Sequence, residues 1–339
     1  MSLPPKEIPL GAIRFNSDSQ KLEYWMGSAW MQIKTFSPNL DGGVRGVWAG
    51  GRRPAPAFYN NIEFIALAAG GTTTDFGDLS LQRGMGNAFG SKTKGFFFGG
   101  QGNSPATYNN RSDSIVFATQ GNAVDFGNTL SSMIGPSGLS NATRGLCCGG
   151  ATPGSGRLNE IGYITMSSEG NFIDFGDMTG GNYGGTGLAS PVRGIVAGGQ
   201  QPSTSASNQK QTIKIATLGN AENFGDLSYS TYNAAGASNA VRGIVAGGYA
   251  PSSMTANIDF ITLASSGHGI KFGDLIAANA TGKACSNSTH FFHGGGSGSS
   301  TSIQRVKFST GGDATDWGAL SAGTDELCGA TSNGHGGLG

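Results

Sequence analysis

Few residues of this sequence are of types that could do chemistry. The tripeptide Asp-Phe-Gly, which places a metal-binding aspartate in protein kinases, occurs three times, beginning at Asp75, Asp125 and Asp174. The glycine-rich loop, the paired Lys and Glu and the catalytic loop of that site are absent, so we interpret the tripeptide as a turn. The four histidines form no cluster suited to a metal or a catalytic base. They are His268, His290, His293 and His335.

Carboxylates give no enzyme signature either. A glycosidase needs two facing carboxylates, whereas Glu63, Glu160 and Asp259 fall at equivalent positions of predicted strands, where alternation places them toward solvent. The Ser-x-Asp-x-Gly-x-x-Trp box of sialidases is missing, and no arginine triad can be identified. No glycine run forms a phosphate loop. The sequence therefore predicts a protein that is not an enzyme and has no cofactor and no metal site.

Composition restricts the class of protein further. The 339 residues include 60 glycines, only 12% are charged, and the formal net charge is zero. A neutral chain lacks the basic field that nucleic-acid binding requires. No apolar stretch approaches a membrane span and the start has no signal-peptide core, so we expect a soluble protein made in the cytoplasm. Cys147, Cys148, Cys285 and Cys328 show no metal-ligand spacing, and we expect buried free thiols.

Two phrases recur together about every 49 residues, a period typical of propeller blades. The first is a basic residue, a short apolar run and Gly-Gly, and it begins at Arg45, Lys94, Arg144, Arg193, Arg242 and, degraded, Thr289. The second centres on an aromatic-glycine pair, at Phe76, Phe126, Phe175, Phe224, Phe272 and Trp317. We expect these aromatic residues to pack between neighbouring sheets.

Each repeat contains four predicted strands. In the fifth repeat they cover residues 234–238, 243–246, 258–263 and 272–275, and no helical pattern occurs anywhere. This predicts an all-β fold over residues 41–339, a six-bladed β-propeller of four-stranded antiparallel blades.

The chain ends predict how the ring closes. Each first strand finishes in a serine, at Ser91, Ser140, Ser190, Ser238, Ser286 and Ser332. The first repeat begins at Arg45 without such a strand, and a surplus one, residues 327–333, follows the last repeat. We therefore expect the C-terminal strand to complete blade 1 and to remove a free sheet edge.

Charged residues of the two phrases vary together. The base of the first phrase and the acid after the aromatic-glycine pair are Arg45 with Asp78, Arg144 with Asp177, Arg193 with Asp226 and Arg242 with Asp274. The other two repeats have Lys94 with Asn128 and Thr289 with Ala319, so the acid is lost where the arginine is lost, which predicts a structural ion pair in four blades. The alternative is a functional basic ring.

The long, dissimilar segments that follow each Gly-Gly share one face of the predicted propeller, the long-loop face. Variable loops on a repeated scaffold are where recognition usually occurs. Several carry tyrosine beside amides and arginine, a combination that suits sugar rings or protein surfaces, although solvated turn residues are the alternative. The candidate ligand-binding residues are Arg52, Arg53, Tyr59, Asn60, Asn61, Tyr108, Asn109, Asn110, Arg111 and Tyr249.

Residues 1–40 form a separate predicted module. The sequence indicates a three-stranded meander with turns at 16–20 and 26–29. Some thirty residues cannot bury a core of their own, so the module should dock on copies of itself or on another protein. The candidate docking residues are Phe15, Tyr24, Trp25 and Trp30. The alternative is that the module packs against the propeller.

Nearly the whole chain resembles known proteins. The double glycine is similar to that of kelch-type propellers, although the Trp of that pattern occurs only at Trp317. The strands such as residues 258–263, the Gly-Asn-Ala turns at 121–123 and 219–221, the Phe-Gly-Asp-Leu phrase and the ending 332–338 resemble virion structural proteins of tailed bacteriophages, especially those of marine and cyanobacterial hosts. Residues 11–17, 21–25 and 27–33 are similar to a module of phage fibre and decoration proteins.

The resemblance implies a virion protein synthesised in the host cytoplasm. Its expected role is a tail-fibre or spike head that binds a host surface glycan or protein through the long-loop face. A capsid or tail decoration protein with an assembly role is the alternative, and a carbohydrate-binding or sialidase-like propeller is a second one. The implied partners are other virion proteins, through residues 1–40, and further copies of the chain, with a trimer favoured, but neither nucleic acid nor an inserted membrane. A cellular interaction hub would lack the N-terminal module.

Overall fold

The computed structural model describes residues 8–16, 21–32, 44–53, 57–102, 107–154, 156–168, 170–203 and 205–338. The chain divides into two compact units, Met1–Gly43 and Val44–Gly339. The predicted boundary at residue 40 stays a prediction, because residues 33–43 lie outside the described part. The described residues are all-β apart from one 3-10 turn, Gly336–Leu338, and they contain no helix long and apolar enough to cross a membrane.

The first unit is the predicted three-stranded meander. Its antiparallel strands are β1 (Ile13–Asn16), β2 (Lys21–Trp25) and β3 (Trp30–Gln32). The predicted turn at 26–29 is closed by a hydrogen bond from Met26 N to Ala29 O at 3.0 Å. The other turn includes residues 17–20, which lie outside the described residues.

The second unit is built from short strands that recur with the sequence repeat. The first repeat has β4 (Arg45–Arg52), β5 (Phe58–Ala66), β6 (Gly71–Thr72) and β7 (Thr74–Asp78). The second has β8 (Arg83–Gly84), β9 (Asn87–Gly90), β10 (Lys94–Phe98), β11 (Gln101–Gly102), β12 (Asn109–Val116) and β13 (Val124–Met133). The third has β14 (Ser137–Ser140), β15 (Arg144–Cys148), β16 (Glu160–Thr165) and β17 (Ile173–Asp177).

The remaining repeats follow the same pattern. The fourth has β18 (Thr186–Ala189), β19 (Arg193–Ala197), β20 (Ser207–Lys214) and β21 (Glu222–Thr231). The fifth has β22 (Ala235–Ser238), β23 (Arg242–Ala246), β24 (Asn257–Thr262) and β25 (Ile270–Asp274). The sixth has β26 (Lys283–Ser286), β27 (His290–Gly294), β28 (Ser302–Lys307) and β29 (Thr315–Ala319), and β30 (Gly329–Ser332) comes last.

These strands form six antiparallel sheets, which we number I to VI. Sheet I has the order β30-β4-β5-β7, sheet II β9-β10-β12-β13, sheet III β14 to β17, sheet IV β18 to β21, sheet V β22 to β25 and sheet VI β26 to β29. In sheet VI, β6 adds a parallel fifth strand beside β29, and β8 pairs with β11 alone. Four antiparallel strands per repeat, as predicted, are confirmed.

The C-terminal strand completes sheet I, as predicted. Ala330 of β30 lies opposite Trp48 of β4, and Ser332 lies opposite Gly46. The side-chain Oδ1 of Asn333 accepts a hydrogen bond from Arg45 N at 2.8 Å. Within sheets III, V and VI the same bond joins residues of one local turn. Those bonds run from Arg144 N to Asn141, from Arg242 N to Asn239 and from His290 N to Asn287. The two chain segments of sheet I thus reproduce a turn without a covalent connection.

Two register predictions are corrected. The first-strand residues opposite the start of each second strand are Gly90, Ser140, Ala189, Ser238, Ser286 and Ser332. Ser91 and Ser190 come one residue later and occupy the turn position that Asn takes elsewhere, because either side chain can accept a backbone N–H there. The sixth repeat begins at His290 rather than Thr289. Its left-handed double glycine is Gly295-Gly296, preceded by a third glycine that obscured the alignment.

Neighbouring sheets are joined at their fourth strands. In each junction an N–H in the turn before one fourth strand donates to a carbonyl of the preceding sheet's fourth strand. The bonds are Gly121 N to Phe76 O (2.8 Å), Gly170 N to Phe126 O (3.1 Å), Gly219 N to Phe175 O (2.9 Å), Gly267 N to Phe224 O (3.3 Å), Gly312 N to Phe272 O (2.8 Å) and Thr73 N to Ala319 O (2.8 Å). The last bond connects sheet VI to sheet I.

Most of the repeated aromatic residues are core, as predicted. Phe76, Phe126, Phe175 and Phe224 are buried, while Phe272 and Trp317 are partly buried, each against a further core cluster. All four cysteines are buried free thiols, which confirms that prediction.

The predicted ion pairs of the four arginines are wrong. Arg144 Nη1 donates to the carbonyls of Ile215 and Ala216 at 3.0 and 2.9 Å, in the turn of the next sheet, and its guanidinium stacks over Tyr163. Arg45, Arg193 and Arg242 bind the equivalent carbonyls and each stack over a phenylalanine. None of the four pairs with its predicted aspartate among the described residues. Those aspartates follow the aromatic-glycine pair, where their backbone joins the next sheet.

Candidate functional site

The first strands of the six sheets surround a common space, the central channel. Ser140 Oγ donates to Gly90 O at 2.7 Å and Ser238 Oγ donates to Ala189 O at 2.7 Å, each across two neighbouring sheets. Ser286 and Ser332 make the equivalent bonds. One small residue from each sheet lines the channel throughout, namely Ala88, Gly138, Gly187, Gly236, Ala284 and Ala330. The larger part of the channel is a cavity of about 50 Å³, enough for a few water molecules.

The C-terminal residues 334–338, the C-terminal plug, close one end of the channel. His335 Nε2 lies 2.7 Å from Gly90 O and 3.3 Å from Ser140 Oγ, and Gly337 N donates to His335 Nδ1 at 3.2 Å. Burial lowers the pKa of His335, so the ring is neutral and Nε2–H is the donor. A Cβ on Gly337 would overlap the carbonyl oxygen of Ser140, so only glycine fits there.

The other end is framed by six residues that we call the mouth ring. All have left-handed backbone and each stands shortly before a first strand. They are Met85 (φ 57°), Gly135 (φ 59°), Gly184 (φ 69°), Asn233 (φ 52°), Thr281 (φ 61°) and Glu326 (φ 47°). Backbone hydrogen bonds of 2.6 to 3.0 Å join five of the six neighbouring pairs, including Met85 N to Glu326 O across the two ends of the repeat array. Left-handed Met, Thr and Glu are strained, and such strain is often found at functional sites.

Tyrosines accompany the mouth ring. Tyr232, next to Asn233 in the chain, stacks on Tyr249 with ring centroids 5.1 Å apart, and the two residues also pair through their backbones. Tyr183 precedes Gly184, and it lies close to the side chain of Asn233. Burial raises the pKa of Tyr183, so its hydroxyl stays protonated. Half-buried aromatic faces beside an amide suit a sugar ring or a protein surface.

Two charged residues, Lys283 and Glu326, line the mouth of the channel. Lys283 is the first residue of β26 and lines both the channel and a mouth cavity of about 20 Å³. Its Nζ donates to Gly86 O at 3.0 Å, and burial lowers the pKa of its amine to about 8. Glu326 lines the same cavity, and its Oε1 lies 2.8 Å from Arg52 Nη2.

The predicted ligand-binding residues fall into separate groups. Arg52 and Tyr249 lie at the mouth, because Arg52 pairs with Glu326 and Tyr249 stacks on Tyr232. A second group surrounds the buried carboxylate of Glu63, which bonds to Arg53 at 3.1 Å and to Asn61 at 2.8 Å. Arg53 also stacks over Tyr59, and Asn60 bonds to Leu79 O.

The third group belongs to the second repeat. Asn109 Oδ1 accepts a bond from the buried Arg83 at 3.3 Å, and Arg111 pairs with Asp125 at 3.2 Å. Asn110 accepts a bond at its carbonyl from Thr129, and Tyr108 pairs through its backbone with Gln101. Most of these side chains already have partners within the fold.

Two of the three predicted solvent-facing carboxylates, Asp259 and Glu63, are buried instead. Asp259 is 0% exposed and accepts hydrogen bonds from Ser228 N and Ser228 Oγ, both at 2.6 Å. Glu63 is 4% exposed and binds Ser321 in the same way, and Asp113 binds Ser80. Glu160 is two residues out of register, since Gly162 occupies the equivalent position. Third strands are covered by neighbouring sheets on both faces, so these carboxylates anchor the link that arrives from the preceding sheet.

Sequence reasoning missed Tyr183, Tyr232, Asn233, Thr281, Lys283 and Glu326. The sequence did contain a signal for the mouth ring. An alignment of the six repeats with one another shows that one residue just before each first strand varies, and this is the residue that occupies the ring. Among the residues that the structure describes, no three His, Cys, Asp or Glu side chains lie close enough to hold a metal ion. No protein-family model and no curated protein matches the sequence.

Proposed function

We propose that this chain is a non-enzymatic virion structural protein of a tailed bacteriophage, a tail-fibre or spike head. Its six sheets form the blades of a β-propeller, and the long-loop face binds the host surface. The observation that carries the binding role is the mouth ring with its stacked tyrosines. The virion role rests on the resemblance of the repeats and of the N-terminal module.

The order of sheet contacts supports the propeller. Each sheet bonds to the next through its fourth strand, and sheet VI bonds back to sheet I. The first strands follow the same order. Where no serine bond joins neighbours, Gly187 approaches Gly138 and Gly90 approaches Thr331 so closely that a Cβ on either glycine would clash. Six sheets in a closed sequence around one channel suit a six-bladed ring.

The N-terminal meander supports attachment to other virion proteins. Ile13, Phe15, Tyr24 and Met31 lie on one face of its sheet and are 36% to 66% exposed. On the opposite face Arg14 pairs with Glu23 at 2.9 Å and stacks over Trp30. Trp30 also packs against Trp25, with centroids 5.4 Å apart. An apolar face on so small a sheet favours docking, either in a homotrimer or on another virion protein.

A decoration protein of the capsid or tail is the second candidate, since the same exposed face would also attach the chain to a shell. Labelling intact particles with an antibody against the chain separates the two roles. A fibre head should be labelled at the tail tip, and a decoration protein should be labelled in many copies over the shell or tail tube. A chain absent from purified particles would contradict both.

The binding role is tested with glycan arrays and with intact host cells. We expect the full chain to bind, and Tyr232→Ala and Tyr249→Ala each to lower the affinity about tenfold, the usual scale for an aromatic contact residue. Val192→Ala is the matched control, because Val192 is exposed in a turn between first and second strands, away from the mouth ring. If all three variants bind like the parent protein, the mouth is not the binding surface.

A further inference from the structure

Lys283 is a cation without a counter-charge. None of the ion pairs between described residues includes it. The acid that shares its cavity, Glu326, is paired with Arg52. The other titratable group beside it, the thiol of Cys328, is fully buried, and burial raises the pKa of that thiol. A half-buried ammonium in such surroundings is expensive to keep charged.

The amine is also incompletely bonded. An ammonium has three N–H donors, and Gly86 O takes one of those of Lys283. Below it, the six first strands are the edge strands of their sheets and line the channel. Lys283 therefore keeps donors that Gly86 does not use, and its side chain lines both the channel and the mouth cavity.

The mouth restricts what can enter. A cavity of about 20 Å³ has room for one or two water-sized groups, so it accepts the head group of a ligand and leaves the remainder outside, beside Tyr183 and Tyr232. A single carboxylate carries one negative charge and two acceptor oxygens, which match the free donors of Lys283.

We propose that the mouth ring is a binding site for a carboxylate group, with Lys283 as its counter-ion inside the channel. This goes beyond the proposed virion role and does not depend on it. A carboxylate bound beside Lys283 should raise the pKa of its amine, which burial lowers.

The experiment titrates the full chain with sodium acetate, sodium glucuronate and glucose at constant ionic strength and follows binding by calorimetry and thermal shift. We expect both carboxylates to bind and to raise the Tm, and glucose to do neither. Lys283→Met, which keeps the length of the side chain without its charge, should weaken acetate binding at least tenfold. Lys92→Met, at an exposed lysine in a turn, should bind like the parent chain.

A second measurement does not depend on any variant. The pKa of Lys283, followed by NMR in the parent chain, should rise when acetate is added, and acetate affinity should fall about tenfold per unit as the pH rises above about 8. Tighter binding of glucuronate than of acetate would identify an acidic sugar as the source of the carboxylate. Equal affinities for glucuronate and acetate would show that the site recognises only the carboxylate group. An unmoved Lys283 pKa together with unchanged stability in both salts would overturn the proposal.

Discussion

Arginine at the start of a second strand is a connector between sheets. Arg144 reaches two carbonyls of the next sheet and covers the ring of Tyr163, so its charge is used by backbone dipoles and an aromatic face. Backbone carbonyls are present in a turn of any sequence. The loss of the aspartate in other repeats therefore does not indicate whether the contact between arginine and these carbonyls forms.

We expect Arg144→Ala to lower the free energy of unfolding by about 1–2 kcal/mol, since two charge-assisted hydrogen bonds are lost at a half-exposed site. Asp177→Ala, at the exposed acid once expected to pair with Arg144, should change it by less than about 0.5 kcal/mol. Urea unfolding of both variants measures this. Equal losses would restore the ion pair.

Histidines make the fold sensitive to acid. Burial lowers the pKa of His293 to about 4 and also lowers that of His335, so both are neutral in the folded chain at neutral pH. Between the unfolded value of about 6.5 and those folded values the unfolded chain binds more protons, so stability falls as the pH drops below about 6.5.

His335→Gln should therefore lose less stability than the parent chain between pH 7 and pH 5, because the substitution removes one of the histidines whose pKa is lowered in the folded chain. His268→Gln serves as the control, since the His268 side chain is 77% exposed. Tm values at both pH values provide the comparison. A parent chain that is equally stable at pH 7 and pH 5 would contradict the expected acid sensitivity.

At this scale the sequence predicted apolar positions better than polar ones. Phe126 and Phe224 recur at a fixed place, and repetition alone indicates packing. The alternation of apolar and polar residues in the third strand predicted that Asp259 faces solvent. That pattern does not show that a neighbouring sheet covers this face of the strand. Lys283 was not predicted as a site residue, because its neighbours Gly86 and Glu326 are distant from it in the sequence.

Among the elements, β30 depends most on distant parts of the chain. It pairs with β4, and its Asn333 caps Arg45, although 288 residues separate the two in the chain. Counting first strands against repeats was sufficient to predict this pairing. The exact register of the serines was not predictable, because Ser and Asn exchange places at the turn without changing its hydrogen bonds.

Removal of residues 327–339 should abolish cooperative unfolding of the second unit, because it exposes the edge of β4, uncovers Trp48 and removes the C-terminal plug. Circular dichroism melting and hydrogen exchange of the truncated chain measure this. Asn333→Ala is the mild companion variant and should cost about 1 kcal/mol. A truncated chain that melts as sharply as the parent would show that β30 is dispensable.

For the whole molecule, the proposed docking and binding roles fall on different compact units. We expect the full chain to be a trimer and residues 44–339 alone to be a folded monomer, because the proposed docking face formed by Ile13, Phe15, Tyr24 and Met31 belongs to the meander. Phe15→Glu should reduce the full chain to a monomer without lowering the Tm of the second unit. Light scattering gives the masses, and Arg14→Ala, on the opposite face, is the control. Identical masses for the full chain and for residues 44–339 would argue against association through this face.

Sheet I also has a consequence for protein synthesis. Translation produces β4 before the other strands of the second unit and β30 after all of them, so this sheet cannot be completed until the last strand of that unit has emerged from the ribosome. Trp48 therefore stays uncovered in the nascent chain while the following five repeats are translated. Prematurely terminated products would therefore display an apolar strand edge, a feature by which chaperones and proteases distinguish unfinished from finished copies.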